Sequence, residues 1–255
     1  MLSIESTKAF DSAAGRSALA HARSVARAAL PQRCALCVAD AGSALLCPAC
    51  AGALPRLPSA CPVCASPAAG TVPCGACLAH PPPFAATVAA FVYAFPVDRL
   101  LQQLKYGGQL ALADWAGAAL AHAAGQAMAA RPAANRPDCI VALPLGRARQ
   151  RERGFNQAHE IATRVARHLQ LRTVPALTRT TGGPPQAGLS WSQRAGNVRG
   201  AFAADNCVRG AGVALVDDVM TTGATLAEAA RTLLRAGADH VECWVVARTL
   251  RTGNA

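Results

Sequence analysis

From Phe84 onward, short apolar runs alternate with amphipathic stretches. Phe84–Phe95 reads as a strand or hairpin. Residues 97–105 and 111–130 read as helices around a break at Gly107-Gly108. Cys139–Leu143 is an apolar run of strand length. Asn156–Gln170 places Ile161, Val165 and Leu169 on one helical face. Val213–Val216 is a second buried strand. Leu226, Ala230, Leu233 and Leu234 form a helical stripe, and Val241–Ala247 reads as a strand. Strands buried on both faces and alternating with helices predict an α/β fold with a mainly parallel sheet flanked by helices.

Residues 31–80 have another texture. Eight of the 11 cysteines lie here, as the pairs Cys34/Cys37, Cys47/Cys50, Cys61/Cys64 and Cys74/Cys77. Each pair is C-x-x-C, and a shift of 27 residues maps the first four cysteines onto the last four. A C-x-x-C knuckle lets two thiolates grip one metal, and two knuckles complete a tetrahedral S₄ site. The repeat favours sequential sites, Cys34/Cys37/Cys47/Cys50 and Cys61/Cys64/Cys74/Cys77, with interleaved pairing as the other arrangement. Four thiolates leave no open coordination position, so Zn²⁺ here, in one or two sites, is structural. An iron–sulfur cluster is the competing occupant. Disulfides would imply export, and haem attachment needs a His after the pair, where Val38, Ala51, Ala65 and Leu78 stand. Pro81, Pro82 and Pro83 form a stiff linker. The expected organisation is an N-terminal leader or helix over 1–30, a double cysteine module over 31–80 and an α/β domain over 84–250.

Composition narrows the class. The chain has 255 residues, is 52% hydrophobic and only 15% charged, which excludes intrinsic disorder. The longest apolar stretch, Ala111–Ala130, carries Asp114, His122 and Gln126 and reads as a packed helix, so no membrane insertion is expected. The N-terminus lacks an uninterrupted apolar segment and does not read as a secretory signal. With reduced cysteines, this gives a cytoplasmic assignment. The net charge of +11 suits anionic partners, although an Arg-rich composition alone accounts for much of it. Only Lys8 and Lys105 are lysines among the 25 basic residues, which singles out Lys105.

The candidate chemistry is concentrated in residues 213–225. An apolar strand ends in Asp217-Asp218 and runs into Thr221-Thr222-Gly223-Ala224-Thr225 at the start of a helix. Open α/β sheets bind ligands at the C-terminal ends of their strands. A small-residue loop at a helix N-terminus offers amides, hydroxyls and a positive dipole to a phosphate. Two vicinal carboxylates can accept hydrogen bonds from sugar hydroxyls or help hold Mg²⁺. The pattern therefore suits a sugar phosphate. No P-loop sequence is present.

This stretch resembles the phosphoribosyl-pyrophosphate (PRPP) signature of type I phosphoribosyltransferases. Three further blocks resemble those of ComF family proteins (ComFC/GntX-like). They are Leu104-Lys105-Tyr106-Gly107-Gly108; Pro144-Leu145 with Arg151-Glu152-Arg153-Gly154-Phe155-Asn156-Gln157; and Gln186, Leu189, Arg194 and Asn197 with Val198-Arg199-Gly200-Ala201-Phe202. The resemblance implies a double zinc ribbon joined to a type I phosphoribosyltransferase domain. It implies Mg²⁺–PRPP as ligand and transfer of its phosphoribosyl group to an unidentified acceptor. Asp217, Asp218 and Lys105 would act at the reacting centre. Thr221, Thr222, Gly223, Ala224 and Thr225 would hold the 5′-phosphate. Pro144, Leu145, Arg147 and Arg153 would contact the pyrophosphate side, and Arg194, in the loop over 180–197, would contact PRPP as that loop closes over it. Arg147, Arg149, Arg151 and Arg153 present alternating guanidiniums, of which some are expected simply to face solvent. The family context implies DNA uptake in natural transformation. Single-stranded DNA and a competence helicase or other DNA-uptake protein are the expected partners. A catalytically silent, PRPP-sensing scaffold is the alternative.

Overall fold

The computed structural model describes residues 32–68, 72–180 and 200–250. The leader assigned to 1–30, together with Gln186, Leu189, Arg194 and Asn197, lies outside the described residues. The chain forms two compact units, divided between Ala53 and Leu54.

The first unit contains one cysteine ribbon. The Cys34 amide donates to Ala39 O at 2.8 Å and the Val38 amide to Cys34 O at 2.9 Å, closing the knuckle. Arg33 and Asp40 bridge across it. Helix α1 (Pro48–Gly52) follows Cys47, with proline at its first position, where the missing N–H costs no hydrogen bond. The second unit begins with a copy of this device. The Cys61 amide donates to Ser66 O at 2.8 Å, Ala60 bridges Pro67, and α2 (Gly75–Ala79) follows Cys74. Each of these features is displaced by the same 27 residues as the cysteines. Val38 (φ +63°) and Ala65 (φ +54°) occupy equivalent left-handed positions, which L-residues visit at a cost.

The rest of the second unit is the α/β domain. Its elements, in chain order, are β1 (Ala86–Val92), α3 (Val97–Tyr106), α4 (Ala111–Ala129), β2 (Cys139–Ala142), α5 (Arg147–Arg153), α6 (Gln157–Leu169), β3 (Arg172–Thr173), β4 (Leu177–Arg179), β5 (Phe202–Ala204), β6 (Gly212–Met220), α7 (Ala224–Arg235) and β7 (His240–Arg248). Five strands form one sheet in the order β1-β7-β6-β2-β3, and every neighbouring pair is parallel. β4 and β5 form a separate antiparallel pair. The expected mainly parallel sheet with flanking helices is therefore present.

Both faces of the central strands are buried, which explains their continuous apolar runs. Val213, Leu215, Val241, Cys243 and Val245 pack in one cluster with Leu226, Ala229, Ala230 and Leu233 of α7. The alternate residues Ala214, Val216, Trp244 and Val246 are equally buried and point to the opposite face. On α4, Gly117 lets α6 approach: a Cβ there would lie 2.5 Å from Arg164 Cβ. Arg164 is tied to Asp114 at 2.6 Å and to Glu160 at 2.7 Å. Among the described residues, no helix is long and apolar enough to cross a membrane.

Candidate functional site

Two sets of side chains carry chemistry. The first is the cysteines. Cys34, Cys37, Cys47 and Cys50 form one group, and Cys61, Cys64, Cys74 and Cys77 a second, with the sulfurs of each group within 4.8 Å of one another. The pairing is thus sequential, not interleaved. Cys37 and Cys47 Sγ are 3.7 Å apart, as are Cys64 and Cys74 Sγ. A tetrahedron with Zn–S bonds of about 2.3 Å has an edge of about 3.8 Å, so both groups fit Zn²⁺. A disulfide would need sulfurs about 2.05 Å apart.

The knuckle backbone prepares one sulfur in each group. Burial opposes ionisation of Cys34, but amides of Cys47, Cys37 and Leu36 outweigh it and bring the thiol down to about 6. Burial likewise opposes ionisation of Cys61. Amides of Cys74, Cys64 and Val63 bring it to about 6, and the Cys74 amide lies 3.2 Å from the sulfur. Hydrogen bonds from Cys37 and Cys47 push Cys50 up to about 12. Burial pushes Cys77 up as well. Each group thus pairs one sulfur whose ionisation the backbone favours with one that is held protonated. Cys139 and Cys243 are fully buried in β2 and β7, and burial raises both thiols, as expected of core residues.

The second set lies at the C-terminal edge of the sheet. β6 and β2 are parallel neighbours, with Ala142 opposite Val216, so the segments that follow them emerge side by side. Asp217 and Asp218 follow the apolar run of β6, near its C-terminal end. Asp218 is 6% exposed and pairs with Lys105 Nζ of α3 at 2.7 Å. The Asp218 amide donates to Asp217 Oδ1 at 2.8 Å. Burial, and then the Asp218 charge, push the Asp217 carboxyl well above the usual carboxylate range.

Thr221 and Thr222 are exposed beyond the strand. Gly223 then caps α7 at φ +81°, the left-handed region that favours glycine. Thr222 Oγ1 accepts from the Ala224 amide at 3.1 Å, and Asp217 lines a shallow pocket with Thr221–Thr225. A small anion facing this helix start meets amides and hydroxyls.

The turn Pro144–Gly146 follows β2, the neighbour of this pocket's strand, and leads into α5. Gly154 (φ +76°) ends α5, and Asn156 caps α6 by accepting from the Ala158 amide at 3.0 Å. Arg147 and Arg151 line an open surface depression with Gln150. Arg153 turns to Tyr106, its guanidinium 4.9 Å from the ring centroid and Nη2 donating to the hydroxyl at 3.2 Å. Lys105, Asp217, Asp218 and Thr221–Thr225 are thus gathered at one edge with the turn at Pro144, Leu145 and Arg147. Arg153 packs at the end of α3 instead.

Arg179 on β4 escaped the sequence reading. Its Cδ would lie 3.7 Å from a Cβ at Gly146, and its guanidinium stacks 5.4 Å from the Phe202 ring centroid. Burial lowers its pKa, the Arg149 charge lowers it further, and Asp217 works in the opposite direction. The only signal was an isolated Arg in a short polar strand.

Comparison with known proteins agrees with both sets. Residues 25–78 match the double zinc ribbon domain, and residues 154–253 the phosphoribosyl transferase domain. DNA utilization protein YhgH of Escherichia coli (strain K12) is 36% identical over 176 residues, covering 68% of this chain and 76% of that protein. Competence protein F of Haemophilus influenzae is 32% identical over 160 residues, covering 61% and 69%. Among solved structures, glutamine PRPP amidotransferase from B. subtilis, complexed with ADP and GMP, aligns at 22% identity over 48% of this chain and 25% of that one, with a TM-score of 0.33.

Proposed function

The chain belongs to the ComF family, that of DNA utilization protein YhgH and competence protein F, and from that premise we propose that its sheet-edge crevice binds Mg²⁺–PRPP and transfers the phosphoribosyl group to an acceptor. The observation that carries this is a vicinal carboxylate pair leading directly into a glycine-capped helix start, with Lys105 2.7 Å from Asp218. In this reading Thr221–Thr225 hold the 5′-phosphate. Asp217 and Asp218 accept from the ribose hydroxyls. Bound with PRPP, Mg²⁺ would supply charge neutralisation at the pyrophosphate. Pro144, Leu145 and Arg147 flank the pyrophosphate, while Lys105 offsets negative charge as the C1–oxygen bond breaks, pyrophosphate leaves and the acceptor bonds to C1; Arg194 is the further PRPP contact expected from the sequence. Arg153 supports this group through Tyr106. Catalysis comes from positioning and electrostatics, with no protein nucleophile. Calorimetric titration with Mg²⁺–PRPP tests it: Asp217→Asn/Asp218→Asn should lose binding about a hundredfold while remaining folded by circular dichroism. Equal affinity in the double variant would overturn the assignment.

A second reading is favoured by the exposed Tyr106 ring under Arg153, beside exposed Arg147, Arg149 and Arg151. Guanidiniums with a stacking ring suit single-stranded DNA, and here the domain would act as an accessory module in DNA uptake alongside a helicase or other uptake protein. Affinity for an oligonucleotide should then fall steeply with salt, and a flat response would exclude it. Eight ligand thiols suit a reducing compartment, which favours the cytoplasm for either activity.

A further inference from the structure

The second cysteine group and the Thr221–Thr225 loop share one side chain, Arg248. It closes β7 and is 3% exposed. Its Nε donates to Cys64 O at 2.9 Å and its Nη2 to Ser66 Oγ at 3.1 Å, both in the second knuckle. Its Nη1 donates to Met220 O at 3.1 Å and to Thr221 O. One planar fork thus spans a residue that holds metal and the first carbonyls of the loop.

The peptide bond gives this contact a consequence. In a trans peptide, the C=O of one residue and the N–H of the next point in opposite directions. Holding the carbonyls of Met220 and Thr221 on the Arg248 side turns the amides of Thr221 and Thr222 the other way. Those amides begin the loop read above as the anion cradle. The fork fixes both peptide planes at once. Thr249 adds bonds to the same two carbonyls, with its amide 3.0 Å from Met220 O and its hydroxyl 3.4 Å from Thr221 O.

The knuckle is fixed from a second strand too. Thr87 of β1 donates through Oγ1 to Val63 O at 2.7 Å and through its amide to Pro62 O at 3.1 Å. Ala65, between the two Arg248 contacts, is buried at φ +54°, a conformation that persists only where its surroundings over-determine it. Metal on Cys61 and Cys64, together with these bonds, supplies that constraint.

We infer that Arg248 is a positioning residue through which metal in the second four-cysteine group holds the Thr221–Thr225 loop in its anion-receiving conformation. The coupling is reciprocal: what orders the loop retains the metal, and what removes the metal loosens the loop. It stands whichever anion the loop takes.

Hydrogen–deuterium exchange on the full zinc-loaded chain tests this without a ligand. In Arg248→Met, and in Cys74→Ser/Cys77→Ser, exchange over residues 219–225 should accelerate about tenfold while α6 stays unchanged. Cys34→Ser/Cys37→Ser should leave residues 219–225 at the wild-type rate. Unchanged exchange in Arg248→Met would overturn the inference, as would equal acceleration by the first-group variant. Should Cys74→Ser/Cys77→Ser loosen α6 as well, Arg248→Met decides alone. A purely structural arginine would not move a second readout. Zinc release to a chromophoric chelator should quicken for one of the two metals in Arg248→Met, with Arg248→Lys intermediate. Saturating Mg²⁺–PRPP should slow that same release in wild type and not in Arg248→Met. If calorimetry shows that wild type does not bind Mg²⁺–PRPP, the ligand assignment fails, and exchange still decides the coupling.

Discussion

Asp217 and Asp218 are neighbours with unlike surroundings. Lys105 neutralises Asp218, whereas burial and the Asp218 charge favour the protonated form of Asp217. For the free protein, the native state then holds a proton that the unfolded chain has lost. Stability attributable to Asp217 is highest at low pH and declines as pH rises through its elevated folded value. A ligand that requires the Asp217 carboxylate must expel that proton. Mg²⁺–PRPP binding should therefore release protons, and affinity should rise with pH above the ordinary carboxylate range. Calorimetry in buffers of different ionisation enthalpy measures this directly. Lys105→Met removes the partner of a carboxylate that is 6% exposed, and urea denaturation should show a loss of about 2–4 kcal/mol. The sequence made Lys105 conspicuous by its rarity. It did not reveal the partner, because α3 and β6 meet only through the tertiary fold.

The long elements were legible because one rule governed each. Ile161 and Val165 of α6 keep the period of a helix packed on one face, and Val213–Val216 keep the run of a strand buried on both. The elements that escaped are short and decided by neighbours. β3 has only Arg172 and Thr173, both exposed, and exists because β2 lies beside it. α5 is Arg147–Arg153 without a buried residue, so no apolar period announces it. Gly117 shows the reverse dependence. It is a poor helix former in a long alanine-rich helix, kept where α6 comes close. Gly117→Ala should gain helix propensity and still destabilise the protein by about 1–3 kcal/mol, because its Cβ meets Arg164. Thermal melting gives the sign of that balance.

At the scale of the molecule, the cysteine spacing foretold two metal groups and the 27-residue duplication. It left sequential and interleaved pairing open because both satisfy the same spacing. The assembled sulfurs decide it. Two Zn²⁺ per chain should be found by native mass spectrometry. Chelation should unfold residues 32–53, a segment too short to hold a core of its own, while the parallel sheet persists. Amide spectra before and after chelation would separate these responses. Arg248 lies beyond sequence reasoning of this kind, since nothing in the string joins it to Cys64.

The strand order imposes a timetable on synthesis. Among the described strands, β1 pairs with β7 alone, and β7 fills the gap between β1 and β6. On the ribosome, Ala86–Val92 can meet Pro55, Pro62 and Val63 as it emerges, but its partner strand is missing until His240–Arg248 is made. At ordinary elongation rates that wait is about 10–30 s. Throughout it, the edge of this apolar strand that receives β7 stays open. Chaperone capture during translation, and aggregation of chains that stall before His240, are the natural outcomes of a sheet whose middle is made last.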